Sequence, residues 1–304
     1  VAKTSSSITL LSDIEYFGIS RANGNLSHPD VIALIPAAGQ GQRVAPIPCS
    51  KELYPIGFYW DTASQLSRPK VVIHYLLERL RLAGIYKAFV ILRDGKWDIP
   101  SYTGNGARWG MHLAYLMVDV SYGSPYSLDQ AWPFVHNARI ALGFPDIIFS
   151  PEDAFVNLLR RQEQSGADVV LGLFPSDHPQ KMDMVDADDR GHVRAIIIKP
   201  PRTKLRYSWM IAVWTPAFTQ FMHDYLGHKI DRLQATRRSS DGLRQFKELY
   251  VGDAIREAMA SGMRVESETF GLGNCIDIGT PKDMERAIRK YANLPGVINV
   301  HERA

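Results

Sequence analysis

Short apolar runs alternate with amphipathic stretches along this chain, and their order sets its class. VIALIP at 31–36 is a continuous apolar run of strand length, the pattern of a strand buried on both faces. A glycine-bearing loop, AAGQGQR, follows it. PKVVIHYLLERLRLAG then places Val71, Val72, Tyr75, Leu76 and Leu80 at helical spacing, and Gly84 suits a helix stop. YKAFVILR at 86–93 reads as a second strand. Strand, loop, helix and strand make a parallel crossover unit. The expected class is α/β, a mixed, mostly parallel sheet flanked by helices.

The pattern recurs toward the C-terminus. ARIALGFPDIIF reads as a strand ending near Asp146, and S-P-E-D after it as a helix start. Ser150 is the expected N-cap there, with Pro151 at the first helical position and Asp153 accepting from backbone amides. ADVVLGLFP (167–175) is another strand, and DMVDADDRGHVRAIIIKP a hairpin turning at D-R-G. Helices are expected near 216–226 and 246–261. GNCIDIGTPKDMERAIRKYA reads as strand, cap and helix, with Thr280 and Asp283 as the cap pair. Residues 1–30 are Ser/Asn/Gly-rich and read as an extension before one domain spanning 31–304. The arginine-bearing stretch 228–244 reads as a solvated, turn-rich loop, with a lid or interface as the alternative.

Composition narrows the partners. The chain has 304 residues, 45% hydrophobic and 22% charged, an ordinary globular balance. A net charge of +3 is too small to call for nucleic acid but leaves room for a local basic site. Two cysteines, Cys49 and Cys275, make neither a disulfide framework nor a four-thiolate zinc site, and point to a reducing, cytoplasmic setting. No apolar run approaches the ~20 residues of a membrane span, so no membrane partner is expected. The first residues lack the basic and apolar regions of a signal peptide.

Two constellations carry chemistry. The first is GQGQRVAPIPCSK, Gly39 to Lys51, directly after a strand. Glycines there let backbone amides approach an anion, and Arg43 and Lys51 add two cations. It is neither a P-loop, since G-K-[ST] is missing, nor the dinucleotide fingerprint, since Val44 stands where the third glycine belongs. Taken alone, a tight turn with surface charges explains it equally well. The second is a pair of aspartates, Asp146 and Asp277, each after an apolar run and so near a strand's C-terminal end, where open α/β sheets bind ligands. Two carboxylates converging there suit Mg2+, which takes a few carboxylates and substrate phosphate oxygens. Either aspartate alone is equally a loop residue or helix cap. The nine histidines show no metal-ligating spacing.

IALIPAAGQGQRVAPIPCSKELYPIG resembles the nucleotide-binding signature of the sugar-phosphate nucleotidylyltransferases, L-A-A-G-x-G-T-R-L-x-P followed by P-K-x-L-x-P-I. SPYSLDQAW is similar to that family's base-binding segment, GFPDIIF to its metal segment, DMVDADDRGHVRAIIIKP to its Y-G-V-V … E-K-P stretch, and CIDIGTPKDMERA to its W-x-D-I-G-T-P-E-D. The matches run in order over roughly 31–290, and glucose-1-phosphate thymidylyltransferases are the members most resembled.

The resemblance implies a Rossmann-like sheet of the nucleotide-diphospho-sugar transferase type, a homo-oligomer being open. It implies that a sugar 1-phosphate attacks the α-phosphorus of a nucleoside triphosphate and releases pyrophosphate. Ala37, Ala38, Gly39, Gly41, Gln42 and Arg43, with Ser127 and Gln130, would bind the nucleotide. Arg43 and Lys51 would hold its phosphates, facing ligand rather than supporting the core. Asp146 and Asp277 would hold Mg2+, and Lys199 the acceptor phosphate. The chain also departs from the family. Gln42 replaces a Thr/Ser, Ser127 a glycine, and Tyr122 a Gln/Glu, which leaves the nucleobase open. Ile198 replaces the E-K-P glutamate, Asp183 a glycine, and Trp209 and Met210 a Thr-Gly pair. These changes rewrite the acceptor side and point away from plain glucose 1-phosphate. Alternatives are a non-sugar phosphate or phosphonate acceptor, or a binding-only regulatory subunit.

Overall fold

The computed structural model describes residues 27–61, 64–119, 123–238 and 248–291. Most of the expected N-terminal extension, Tyr122 and residues 292–304 lie outside them. The first half runs β1 (Val31–Pro36), β2 (Pro55–Asp61), β3 (Leu66–Val71), α1 (Val72–Leu82), β4 (Lys87–Arg93), α2 (Asp98–Thr103), β5 (His112–Val118), α3 (Ser124–Asp129), α4 (Trp132–Val135) and β6 (Arg139–Gly143). The second runs β7 (Ile147–Ser150), α5 (Ala154–Ser165), β8 (Val169–Pro175), β9 (Met184–Ala187), β10 (Val193–Ile197), β11 (Tyr207–Trp214), α6 (Pro216–Arg238), α7 (Val251–Ala260), β12 (Val265–Thr269), β13 (Asn274–Asp277) and α8 (Pro281–Tyr291).

The main sheet orders β10-β9-β11-β6-β1-β4-β5, with β8 paired to β11 and β12 to β8. β6, β1, β4 and β5 are parallel, and β11 turns the direction. This is the expected mixed α/β sheet with a parallel centre. Two apolar layers cover its faces. One joins α1 and α5 to the sheet through Leu76, Leu80 and Phe155, and the other joins α6 and α7 through Phe218 and Ile255. α1 rides close on β6: a side chain at Gly143 would place its Cβ 2.4 Å from the Leu76 Cδ1. A third apolar cluster ties β7, β13 and α8 to the β2–β3 hairpin. Among the described residues no helix is long and apolar enough to cross a membrane.

Three expectations are corrected. The run 138–149 is two strands, because Phe144–Asp146 breaks away from the main sheet and β7 pairs antiparallel with β13 instead. Ser150 is not an N-cap: its backbone belongs to that ladder, opposite Asn274, and α5 begins at Ala154 with Asp153 at the N-cap and no side-chain cap bond. The stretch expected as a turn-rich loop, 228–244, is helical to Arg238, and its remainder, 239–244, lies outside the described residues. The Thr280–Asp283 cap forms as expected: the threonine hydroxyl donates to the Asp283 carboxylate at 2.6 Å and accepts from the Asp283 amide at 3.3 Å.

Candidate active site

The loop after β1 is anchored at both ends. The Ala37 amide donates to the Ile91 carbonyl at 2.8 Å, and the Val44 side chain is buried in the apolar cluster that includes Ile148 and Ile278. Val44 therefore pins the loop where a dinucleotide-binding chain would carry glycine. Gly41 has φ of 65°, which closes a turn through the Val44 amide to the Gly41 carbonyl at 3.1 Å. Between the anchors Gly39, Gln42 and Arg43 are exposed, and the Gln42 amide donates to Gln40 at 2.6 Å.

Lys51 sits in a single 3-10 turn, Lys51–Leu53, whose side chains diverge. The Ser50 hydroxyl and amide both donate to Asp98, at 2.7 and 2.6 Å. Glu52, 1% exposed, accepts from Lys96 at 2.8 Å. These flanking bonds leave Lys51 one direction, and its ammonium donates to the Asp146 carboxylate. Burial works against that charge, but Asp146, by its charge and hydrogen bond, together with Glu52 and Asp277 outweighs it and holds the lysine above its ordinary range.

The β7–β13 ladder brings the two aspartates together. Asp277 pairs with Ile147, one residue from Asp146, and the Ile278 amide donates to the Asp146 carbonyl at 3.0 Å. Burial, then the charge of Asp146, push the Asp277 carboxyl up to about 6, while Lys51, the Gly279 amide at 2.8 Å and Arg43 oppose the rise. Gly279 keeps this corner open: a Cβ there would stand 2.9 Å from Asp277 Oδ1 and 3.2 Å from Arg43 Nη2. Arg43, Lys51, Asp146 and Asp277, widely separated in sequence, thus share one corner.

That corner sets two carboxylates against two cations, with the carboxylates held partly out of water. A divalent cation that binds a few carboxylates and completes its shell with water and substrate phosphate fits this donor set. Among the described residues no three His, Cys, Asp or Glu side chains gather into a fuller metal site.

The residues expected at the acceptor form a second group. Asp183 packs on the first turn of α7, where a Cβ at Gly252 would meet its Oδ2 at 2.4 Å and Ile198 Cδ1 at 2.7 Å. Burial pushes the Asp183 carboxyl up to about 6; Lys199 holds it down, and Asp253 adds to the rise. Trp209 is 6% exposed, and neither its Nε1 nor Asp183 Oδ1 closes a hydrogen bond. Lys199 is exposed, with φ of 41° and its Nζ 3.6 Å from the Tyr250 ring centroid. Ile198 contacts the apolar layer under α7 rather than offering a polar group. Of the residues expected at the base, Ser127 is buried on α3, and Gln130 ends that helix with its amide donating to the Tyr126 carbonyl at 3.4 Å.

Sequence reasoning missed the residues that aim these side chains. Ser50, Glu52, Lys96 and Asp98 carry no local signal, since their pairing spans more than forty positions. Tyr250 and Gly252 gave none either. Gly279 lay inside the D-I-G-T match without being singled out.

A family model described as nucleotidyl transferase matches residues 32–293. A low-salt glycan biosynthesis nucleotidyltransferase of Haloferax volcanii is 27% identical over 256 residues, 83% of this chain and 63% of that protein. A glucose-1-phosphate thymidylyltransferase of Streptomyces griseus is 26% identical over 259 residues, with the same coverage. The chain thus spans 63% of the length of these curated relatives. A solved structure from Bacillus anthracis, assigned as a glucose-1-phosphate thymidylyltransferase in complex with sucrose, superposes with a TM-score of 0.70 at 21% identity, over 87% of this chain and 96% of that one.

Proposed function

The chain belongs to the nucleotidyl transferase family, and from that premise we propose that it transfers a nucleotidyl group from a nucleoside triphosphate to a sugar 1-phosphate, releasing pyrophosphate. The observation that carries this reading is the meeting of Arg43, Lys51, Asp146 and Asp277 beside the glycine loop. A phosphate monoester has its second pKa near ~6, so the acceptor is largely dianionic at neutral pH and needs no general base. The work left to the protein is in-line positioning and cancelling repulsion between two polyanions.

The residues divide that work. Backbone amides from Ala38 to Gln42 face the triphosphate, while the Ala37 amide is spent on the Ile91 carbonyl and anchors the loop, and Ser127 and Gln130 face the base. Arg43 and Lys51 neutralise the transferred and departing phosphates. Asp146 and Asp277 would hold Mg2+, which when bound supplies positive charge at the phosphate oxygens. Lys199 meets the acceptor phosphate, and Asp183 and Trp209 line the acceptor's far side. With Ile198 unable to accept a hydrogen bond, the acceptor is not plain glucose 1-phosphate. Two free cysteines agree with a cytoplasmic setting. The test is a matrix of nucleoside triphosphates against acceptor phosphates, read as pyrophosphate release. Activity with at least one pair supports the reading, and silence across the matrix with nucleotide sugar still bound would favour a binding-only protein.

A further inference from the structure

The segment entering α7 has no assigned role, yet it touches the side chains expected at the acceptor. Tyr250 lies under the Lys199 ammonium, 3.6 Å from ring centroid to Nζ. An exposed lysine otherwise samples many rotamers, and a ring face removes much of that freedom before a ligand arrives. The ring is itself held. Its hydroxyl donates to Glu248 at 3.2 Å, and the Tyr250 amide to Asp253 at 3.3 Å. One residue earlier, Leu249 bridges to Gly123, at the start of base-side helix α3. That approach is so close that a Cβ on Gly123 would stand 2.0 Å from the Leu249 carbonyl oxygen. Two residues later, Gly252 leaves the space that the Asp183 carboxyl fills. A glycine in a helix costs stability relative to alanine, so its presence beside Asp183 has a local reason.

We propose that Tyr250 and Gly252 are positioning residues of the acceptor half: Tyr250 holds the Lys199 ammonium toward the acceptor phosphate, and Gly252 provides the seat of Asp183. The inference rests on the acceptor reading of Lys199 and Asp183 given above. Because Leu249 joins the same segment to α3, the acceptor and base sides share one strut.

The test needs no turnover. Lysines carrying 13C-methyl groups by reductive methylation give NMR signals, and Lys199→Arg assigns the one sought. The Lys199 signal is expected upfield from the ring current, retained in Tyr250→Phe and lost in Tyr250→Leu. Titration with glucosamine 1-phosphate is expected to show binding weakened about tenfold in Tyr250→Leu, with nucleoside triphosphate binding unchanged. Gly252→Ala is expected to lower the melting temperature and to weaken the same ligand; in an Asp183→Gly background the effect on the ligand is expected to be smaller, because of the two close contacts only that with Ile198 remains. An unshifted Lys199 signal, equal acceptor binding in Tyr250→Leu, no acceptor binding in wild type, or an equal Gly252→Ala effect in both backgrounds overturns the proposal. Pyrophosphate release with an unshifted signal overturns it alone and leaves the functional reading standing. A shifted signal with no turnover across the matrix does the reverse.

Discussion

Replacing Asp183 with asparagine should make the stability of this protein less sensitive to pH. Burial raises the Asp183 carboxyl to about 6, against about 3.9 for an unperturbed aspartate. Lys199 favours the charged form and Asp253 disfavours it, so the rise is what remains of burial after Lys199 opposes it. A folded value above the unfolded one means that the folded state binds the proton more tightly. The stability is therefore fully present below pH ~4 and is lost as pH rises through ~6. Two units at about 1.4 kcal/mol each give a loss of up to ~3 kcal/mol by pH 7. Asparagine fills nearly the same volume and cannot ionise. The difference in unfolding free energy between variant and wild type should be flat below pH ~4 and move by up to ~3 kcal/mol in the variant's favour by pH 7. At roughly 2 °C per kcal/mol for a chain of this size, the melting temperatures should diverge by about 5 °C. The assay is urea or thermal unfolding at pH 4, 5, 6, 7 and 8, without nucleotide or divalent cation. Asp277 titrates in the same window, but it is present in both proteins and cancels in the difference. A difference that stays flat from pH 4 to 8, or grows in favour of wild type, refutes the reasoning.

Turnover should require a divalent cation and vanish in Asp146→Asn and Asp277→Asn; undiminished pyrophosphate release in excess EDTA would sink this. Arg43→Ala should cut kcat about 10²–10³-fold with little change in melting temperature, since its side chain is exposed; activity and stability falling together would make it structural. Lys51→Met should lose activity comparably but also destabilise, more at pH 8 than at pH 5, because Asp146 and Asp277 are left to repel each other until one is protonated; a pH-independent loss would argue against the pairing. In competition at equal concentration, amino- or deoxy-sugar 1-phosphates should outpace glucose 1-phosphate, and the highest kcat/KM for glucose 1-phosphate would show that the acceptor side is not rewritten.

What could be read in the sequence was what short-range pattern encodes. β1, β4 and β8 are continuous apolar runs because both faces of each are covered, and α1 shows its stripe because one side meets the sheet. The β2–β3 hairpin escaped because most of its positions are exposed or half-buried and give no clean alternation. The break at Phe144–Asp146 escaped because the residues on both sides are equally apolar; only the distant β13 distinguishes them. Ser150 misled for the same reason, its competing partner, Asn274, being 124 positions away. The charged residues that could touch phosphate were visible as types in a motif. The residues that orient them were not, because Ser50, Glu52 and Tyr250 act through long-range partners.

Both halves of the candidate site share one electrostatic device. In each, a lysine meets a carboxyl that burial has pushed up to about 6: Lys51 acts on Asp277 while bonded to Asp146, and Lys199 acts on Asp183 while resting on Tyr250. A lone lysine in such a corner would turn to solvent, and arriving phosphate would have to recover it at an entropic cost. The internal partner removes that cost beforehand, but phosphate must then displace or share it, which lowers affinity for phosphate alone. In the proposed reaction the arrangement would therefore favour states with more negative charge than a resting phosphate presents, as when charge builds between donor and leaving phosphates. Preorganised groups contribute most to rate in that circumstance, because they need not reorganise as the charge develops.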